Sequence, residues 1–330
     1  MRRSGLPLVL AIGLGCNSQP VICRQLPVAR HVAREVTRGI QPKGWPGLSR
    51  PVAIACDESR VYVLDMDDGD IKVFSRWGIF ESVIGRKGQG PGEFNFPSGL
   101  DIFRGRLYVA DSANRRVQVL DTKGSYLSGF RVPFSPHRIL ALGPDRIVVT
   151  SLPSGRSEKE RVLHGFDGSG EILWEAGDSF FSRDSPYDLM KNRWFIVRAA
   201  KGELLLVPGA DGRVIRRLDA DGALLEETKV SERYASQEVA VPAKDGGKRM
   251  LRTFCWNCAS DGGKLFLLVP ERTDDGDLGP GKTIAVLNRA AGLEATIAFP
   301  VRLTRIAVDG NMIFGIDVDS SLRIFRTESR

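Results

Sequence analysis

Three groups of side chains in this 330-residue chain have types and spacings that could do chemistry. Cys255-Trp-Asn-Cys258 has the C-x-x-C form of half a zinc site or of a redox pair. A structural zinc needs a second pair of ligands, and a redox pair draws its low thiol pKa from a helix N-terminus. Here the flanking Phe254 and Lys264-Leu-Phe-Leu-Leu-Val269 read as strands, so both cysteines are expected to be structural or incidental rather than redox-active or metal-binding. Residues three apart in a regular strand point to opposite faces, so a disulfide between them would require a bend or bulge. The second group is two acidic runs, Asp65-Met-Asp67-Asp68-Gly69-Asp70 and Asp274-Asp275-Gly276-Asp277. Carboxylates this dense can hold calcium, but Arg76 stands where an EF-hand would place its bidentate Glu, and turn capping is the expected role. The third is the histidines, His31, His137 and His164, of which His137 sits near the start of a strand in Ser135-Pro-His-Arg-Ile-Leu-Ala141. His137 and Asp101 are the candidate ligands for a metal-dependent hydrolase or lyase. One histidine falls short of a zinc site. No Gly-x-Ser-x-Gly, His-Glu-x-x-His or Walker sequence occurs, and Gly88-Gln-Gly90-Pro-Gly92 lacks the strand-turn-helix setting of a phosphate cradle. No catalytic set, metal or cofactor is assigned.

The elements that must position these residues repeat. Pro51-Val-Ala-Ile-Ala-Cys-Asp-Glu-Ser-Arg60-Val-Tyr-Val-Leu-Asp65, followed by Ile71-Lys-Val-Phe74 and Gly78, returns 46 residues later as Pro97-Ser-Gly-Leu-Asp-Ile-Phe-Arg-Gly-Arg106-Leu-Tyr-Val-Ala-Asp111, Val117-Gln-Val-Leu120 and Gly124. A period in the forties, built of short β-branched and aromatic runs divided by Gly, Asp and Asn, is the mark of propeller blades. The reading is an all-β, six-bladed β-propeller with four antiparallel strands per blade. Five tight turns punctuate it: Ser75-Arg-Trp-Gly78, Asp121-Thr-Lys-Gly124, Asp167-Gly-Ser-Gly170, Asp219-Ala-Asp-Gly222 and Asn288-Arg-Ala-Ala-Gly292. The sixth unit, Ile306 to Phe325, reaches the C-terminus without an outer strand, and the stretch around His31 to Ile40 is expected to supply it and close the ring.

The segment Gly85-Arg-Lys-Gly88-Gln-Gly90-Pro-Gly92-Glu-Phe94-Asn-Phe-Pro97, with Leu107-Tyr-Val-Ala-Asp111-Ser-Ala-Asn114-Arg-Arg-Val117-Gln-Val-Leu-Asp121-Thr-Lys-Gly124, resembles an NHL-type repeat. It is similar to those of six-bladed β-propeller proteins of bacterial envelopes. The resemblance is specific in the second repeat, fair in the first, and a rhythm of strands and turns in the others. It implies a six-bladed scaffold that binds a ligand or protein, and no single reaction. Asp111 and Asn114 match the family's Asp and Asn positions.

In an up-and-down blade the connection entering the inner strand and the loop between the second and third strands share one face. The long connections all fall there: Gly85 to Phe96, Pro153 to Glu160, Asp178 to Arg193, Ser231 to Arg249 and Glu271 to Lys282. Candidate ligand-binding residues on this face are Arg86, Lys87, Asn114, Arg115, Arg156, Phe180, Phe181, Tyr187 and Tyr234. Arginine and aromatic residues are the usual anchors of interfaces. The alternative is that Phe180 and Phe181 pack their loop onto its own blade and the charges are solvated. A net charge of +7 favours anionic partners.

Met1-Arg-Arg-Ser4, the apolar run Leu6 to Gly15 and then Cys16 read as an export signal too short to span a bilayer. Cys16 directly after that run resembles the lipidated cysteine of a bacterial lipoprotein, although Gly13 stands where a Leu-like residue is usual. The expected organisation is a signal over 1–16, a tether over 17–27 and a propeller over 28–330. The expected location is the cell envelope, membrane-anchored through Cys16 or free in the periplasm or exterior. The expected partner is an envelope protein, peptide or glycan, and export argues against nucleic acid.

Overall fold

Tyr62 and Leu64 pack with Leu100, Leu107 and Val109, while Val61 and Val63, next to them in sequence, pack with Phe314, Ile316 and Ile324. Side chains alternate across a strand, so a strand buried on both sides must be apolar throughout, as Val61-Tyr-Val-Leu64 is. This division generates the architecture. A computed structural model of the chain describes residues 29–37, 43–152, 160–180, 188, 191–210, 212–230, 237–242, 246–273 and 278–328. Over these residues six four-stranded antiparallel blades form, and six buried clusters are each shared by two neighbouring blades, one of them joining the sixth to the first. The result is a six-bladed β-propeller. Its inner strands are Pro51–Cys56, Pro97–Phe103, Pro136–Gly143, Trp194–Arg198, Asn257–Asp261 and Leu303–Asp309, and all six line one central channel.

The turns between third and outer strands follow one plan. The Asp121 carboxylate accepts the N–H groups of Lys123 and Ser125, Asp167 those of Ser169 and Glu171, Asp219 those of Asp221 and Ala223, and the Asn288 amide oxygen those of Ala290 and Gly292. Ser75 does the same through its hydroxyl, to Trp77 and Ile79. Each acceptor satisfies donors two and four residues on, which fixes a short hairpin and leaves that face of the ring nearly free of loops.

Closure comes from Ala29–Glu35, and this strand does more than supply the missing edge. Its second half, Val32 to Glu35, pairs antiparallel with Leu322–Glu328 as the outer strand of blade 6. Its first half, Ala29 to Val32, pairs parallel with Leu293–Ala298, the outer strand of blade 5. Blades 5 and 6 thus merge into one eight-stranded sheet whose two outer edges are covered by the same segment.

Candidate binding face and channel mouth

Four inner strands begin with the same irregularity. Their first residue pairs with the last residue of the second strand, and the register then slips: Pro51 with Asp65, Pro97 with Asp111, Pro136 with Ser151 and Leu303 with Asp317. The residues just past the slip are Ala53, Gly99, Arg138 and Arg305, all on the channel wall at the end that opens on the long-loop face. Blades 1 and 2 therefore contribute small residues where blades 3 and 6 contribute guanidinium groups. Gly99 is obligatory for a second reason: a Cβ there would lie 2.8 Å from the His137 carbonyl oxygen and 3.0 Å from the Arg138 Cα. Arg193, the residue preceding the inner strand of blade 4, completes the group.

These three arginines share no carboxylate among the described residues. The Arg138 guanidinium stacks on the Phe195 ring, 4.4 Å from its centre, and its buried Nε has no hydrogen-bond partner. Arg193 lies over the same ring at 5.2 Å and over Trp256 at 5.1 Å, and donates to the Trp256 carbonyl oxygen. Arg305 donates from Nε to the Val52 carbonyl oxygen at 2.6 Å and from Nη1 to that of Thr304 at 2.8 Å. Burial, then the charges of Arg305 and Arg193, push Arg138 down to about 9. Burial and Arg193 push Arg305 down to about 10, and burial lowers Arg193 as well. His137 stands in the same field, and burial followed by Arg138, Arg193 and Arg305 drives it down to about 3, so its imidazole is neutral at physiological pH.

The other end of the channel is neutralised. Asp101 accepts the Ala141 N–H at 2.8 Å and Arg198 Nη2 at 2.8 Å, and Arg198 also donates to the Ala141 carbonyl oxygen. Burial raises the Asp101 carboxyl against the opposing pull of Arg198. The pairing of Asp101 to Ala141, four residues along the strand from His137, sets the two proposed metal ligands at different depths. His137 is surrounded by cations and Asp101 is ion-paired, so the structure does not assemble them into one site. Among the described residues no three His, Cys, Asp or Glu side chains converge. Cys255 and Cys258 flank a bend at Trp256; Cys255 Sγ donates to the Pro208 carbonyl oxygen at 3.7 Å, and burial, then the neighbouring Cys255, raises Cys258 well above its ordinary value.

Of the residues singled out for binding, Arg86 and Lys87 lie in the connection Gly85 to Phe96, where Arg86–Lys87 pairs in parallel with Glu93–Phe94. Arg86 is 80% exposed and ion-paired to Glu93 at 2.7 Å, and Lys87 lies 5.5 Å from the Phe96 ring centre. The Asn114 side chain is committed to structure, donating to the Gly88 carbonyl oxygen at 2.9 Å and to Asp111 at 2.8 Å. Arg115 is exposed, with a left-handed φ of 51°, and helps line a surface cavity of about 640 Å³ with Phe134, Arg161 and His164. Phe180 lies under Lys191, 3.8 Å from Nζ to ring centre, and its N–H donates to Asn192. With Trp194 it borders a second cavity of about 600 Å³. Arg156, Phe181, Tyr187, Tyr234 and Cys16 lie outside the described residues, as does the run Asp274 to Asp277. The first acidic run caps its own turn: Asp65 accepts the N–H groups of Ser49, Arg50, Asp67 and Asp68, while Asp68 and Asp70 each bind the buried Lys72 at 2.6 Å.

Sequence reasoning missed two groupings. The three arginines come from three blades and share no local motif; their signal is the position, at or just before the start of an inner strand. The other is in blade 3, where His164 Nδ1 lies 2.8 Å from Glu175 and Nε2 lies 3.1 Å from Ser151 Oγ, on adjacent strands. That order of hydroxyl, imidazole and carboxylate is the order of a catalytic triad. Ser151 is only 6% exposed, however, and its hydroxyl also donates to the Arg161 carbonyl oxygen at 2.9 Å, while His164 stacks on Phe134 at 4.0 Å. The trio acts as a polar plug between strands. Burial lowers His164 and Glu175 opposes it.

Comparison with known proteins agrees with this architecture. A family model described as a six-bladed β-propeller matches residues 48–151. No curated protein matches the chain. Among solved structures, a Bacteroides fragilis protein described as exported superposes with a TM-score of 0.58 at 13% identity, over 92% of this chain and 96% of its own. Streptogramin B lyase gives 0.54 at 12% identity, covering 90% and 98%, and virginiamycin B lyase from Staphylococcus aureus gives 0.53 at 13% identity, also covering 90% and 98%. At such identities the likeness is one of fold.

Proposed function

We propose that the chain is an exported β-propeller of the cell envelope, held to a membrane by a lipid on Cys16, that binds a protein, peptide or glycan on its long-loop face. In this reading residues 1–16 are the export signal, 17–27 the tether and 28–330 the propeller, with the second repeat of NHL type. The observation that carries it is the contrast between the two faces. One is closed by short self-capped turns. The other carries the connection Gly85 to Phe96, a 640 Å³ cavity edged by Arg115 and Phe134, and a channel mouth with three guanidinium groups. A rigid ring with cavities and cations on one side suits recognition, and Arg with aromatic rings are frequent anchors of it.

The test is capture from envelope extracts by the full chain. Charge reversal on the long-loop face, Lys87→Glu with Arg115→Glu, is expected to lower captured ligand at least ~10-fold, the equivalent of about 1.4 kcal/mol. Lys123→Glu, in a turn of the opposite face, is expected to leave it unaltered. Equal loss in both variants, or in neither, contradicts the proposal. For the anchor, Cys16→Ser is expected to abolish palmitate labelling and release the protein from membranes; persistent labelling or retention overturns that part.

A further inference from the structure

The long-loop end of the channel contains more donors than the described residues satisfy. Each guanidinium carries five N–H donors. Across Arg138, Arg193 and Arg305 the bonds to described residues are the three to backbone carbonyls of Trp256, Val52 and Thr304, and the Arg138 guanidinium makes none. The Trp256 indole N–H, beside Arg193, is likewise buried without a partner. Backbone carbonyls and ring faces offer partial negative charge only, and no carboxylate of the described residues neutralises any of the three. His137 is neutral and the nearby Cys258 thiol is held protonated, so neither lessens the positive field.

Cations brought together in a half-enclosed channel repel one another and lose solvation unless an anion joins them. The geometry points to an anion site at the channel mouth, in which Arg138, Arg193 and Arg305 from three blades grip a doubly charged oxyanion of the phosphate or sulfate type. The inference rests on the binding-scaffold reading in that the oxyanion is the group by which a ligand on the long-loop face enters the ring. Three observations select this chemistry. Planar guanidinium forks match the paired oxygens of tetrahedral oxyanions and give directional, charge-assisted bonds. Three cations with no carboxylate beside them among the described residues favour a dianion over a single carboxylate. The channel cavity is about 180 Å³, below the roughly 300 Å³ at which pockets begin to enclose whole drug-sized ligands, so it takes a free ion or the anionic tip of something larger. Ala53 and Gly99, at the equivalent positions of blades 1 and 2, leave the space the ion occupies.

The experiment is calorimetric titration and thermal unfolding of the full chain with inorganic phosphate, sulfate and chloride at constant ionic strength. Phosphate and sulfate at a hundred times their Kd are expected to raise Tm by about 4 °C over chloride. In Arg138→Gln and in Arg305→Gln the shift is expected to vanish, while Arg138→Gln without anion melts no lower than the parent because repulsion has been relieved and no hydrogen bond of its guanidinium is lost. Arg138→Lys, which keeps the charge and loses the fork, is expected to weaken binding at least ~10-fold without abolishing it. Equal effects of chloride and phosphate, or a phosphate shift that survives in the Arg138→Gln, Arg305→Gln double variant, overturns the inference. Should a substitution prevent folding, the anion comparison on the parent chain decides alone. Capture in extracts separates this claim from the one it rests on. Normal capture that responds to Lys87→Glu, without phosphate binding, sinks only the anion site. Phosphate binding with capture indifferent to the long-loop variants sinks only the scaffold reading. A phosphorylated or sulfated ligand is distinguished from a free ion by competition: phosphate displaces captured ligand in the first case and leaves it in place in the second.

Discussion

Asp111→Asn tests how the long-loop face is held in position. The carboxylate is fully enclosed, with 0% exposure, and accepts from the Asn95 N–H, Asn114 Nδ2 and Arg116 Nε at 2.8 Å each, and from Gln118 Nε2 at 3.3 Å. Arg116 and Gln118 in turn grip the connection from Gly85 to Phe96, through the carbonyl oxygens of Gly90 and Glu93 and the N–H of Gly92. An amide of the same shape leaves no cavity, but it removes the charge facing Arg116 and turns an N–H₂ toward one of the existing donors. Charge-assisted hydrogen bonds contribute about 1.5–3 kcal/mol each, and breaking a buried ion pair on one side costs about 3–5 kcal/mol. We expect a loss of about 3–5 kcal/mol in urea unfolding and faster tryptic cleavage at Arg86 and Lys87 in the native protein. Asp121→Asn is the control. Asp121 holds two backbone N–H groups in an exposed turn, which an amide oxygen also accepts, so its unfolding midpoint and cleavage are expected to match those of the parent. If Asp111→Asn costs under 1 kcal/mol and leaves cleavage unchanged, the clamp does not govern the loop.

Other expectations follow from the same structure. His137 sits near 3 in the folded state against an ordinary 6.5, so the unfolded chain takes up its proton first as pH falls; the stability of the neutral form is complete above 6.5 and is lost toward 3. His137→Gln, with urea midpoints measured at pH 7 and pH 5 in chloride, is expected to flatten that loss, whose slope is at most about 1.4 kcal/mol per pH unit for one proton; parallel losses in parent and variant contradict the burial of His137 among Arg138, Arg193 and Arg305. Deleting the chain through Glu35 uncovers Leu322–Glu328 and Leu293–Ala298, and is expected to cost roughly 3–6 kcal/mol from lost ladder bonds and to produce oligomers in light scattering; a stable monomer refutes the closure argument. A serine-directed fluorophosphonate is expected to leave Ser151 unlabelled, and a stoichiometric adduct there would restore a hydrolytic reading of the trio with His164 and Glu175.

The fold was legible because its determinants are local and repeated. Val61-Tyr-Val-Leu64 and Leu107-Tyr-Val-Ala110 are apolar on both sides for a reason that only interleaved sheets supply, and Asp121, Asp167, Asp219 and Asn288 mark turns by hydrogen bonds spanning four residues. The closing strand was legible from arithmetic, since the last unit lacked an edge, but its parallel pairing with blade 5 was not, because nothing local in Ala29–Val32 specifies a second neighbour. Asn114 and Arg115 show the limit for sites. They are adjacent and both polar, yet one is locked to Gly88 and Asp111 and the other is exposed, a difference set by the loop that folds over them. The arginine group was hidden because residues 138, 193 and 305 converge only when the ring closes.

The most direct test of the account is carbene footprinting of the full chain in its native membranes, compared with the purified protein. Protection of Lys87, Arg115, Phe134 and Lys191 in the membrane sample, with the turns at Trp77, Lys123 and Ala290 equally labelled in both, is the predicted result. Protection confined to those turns, or no difference between the samples, would contradict a binding function on the long-loop face.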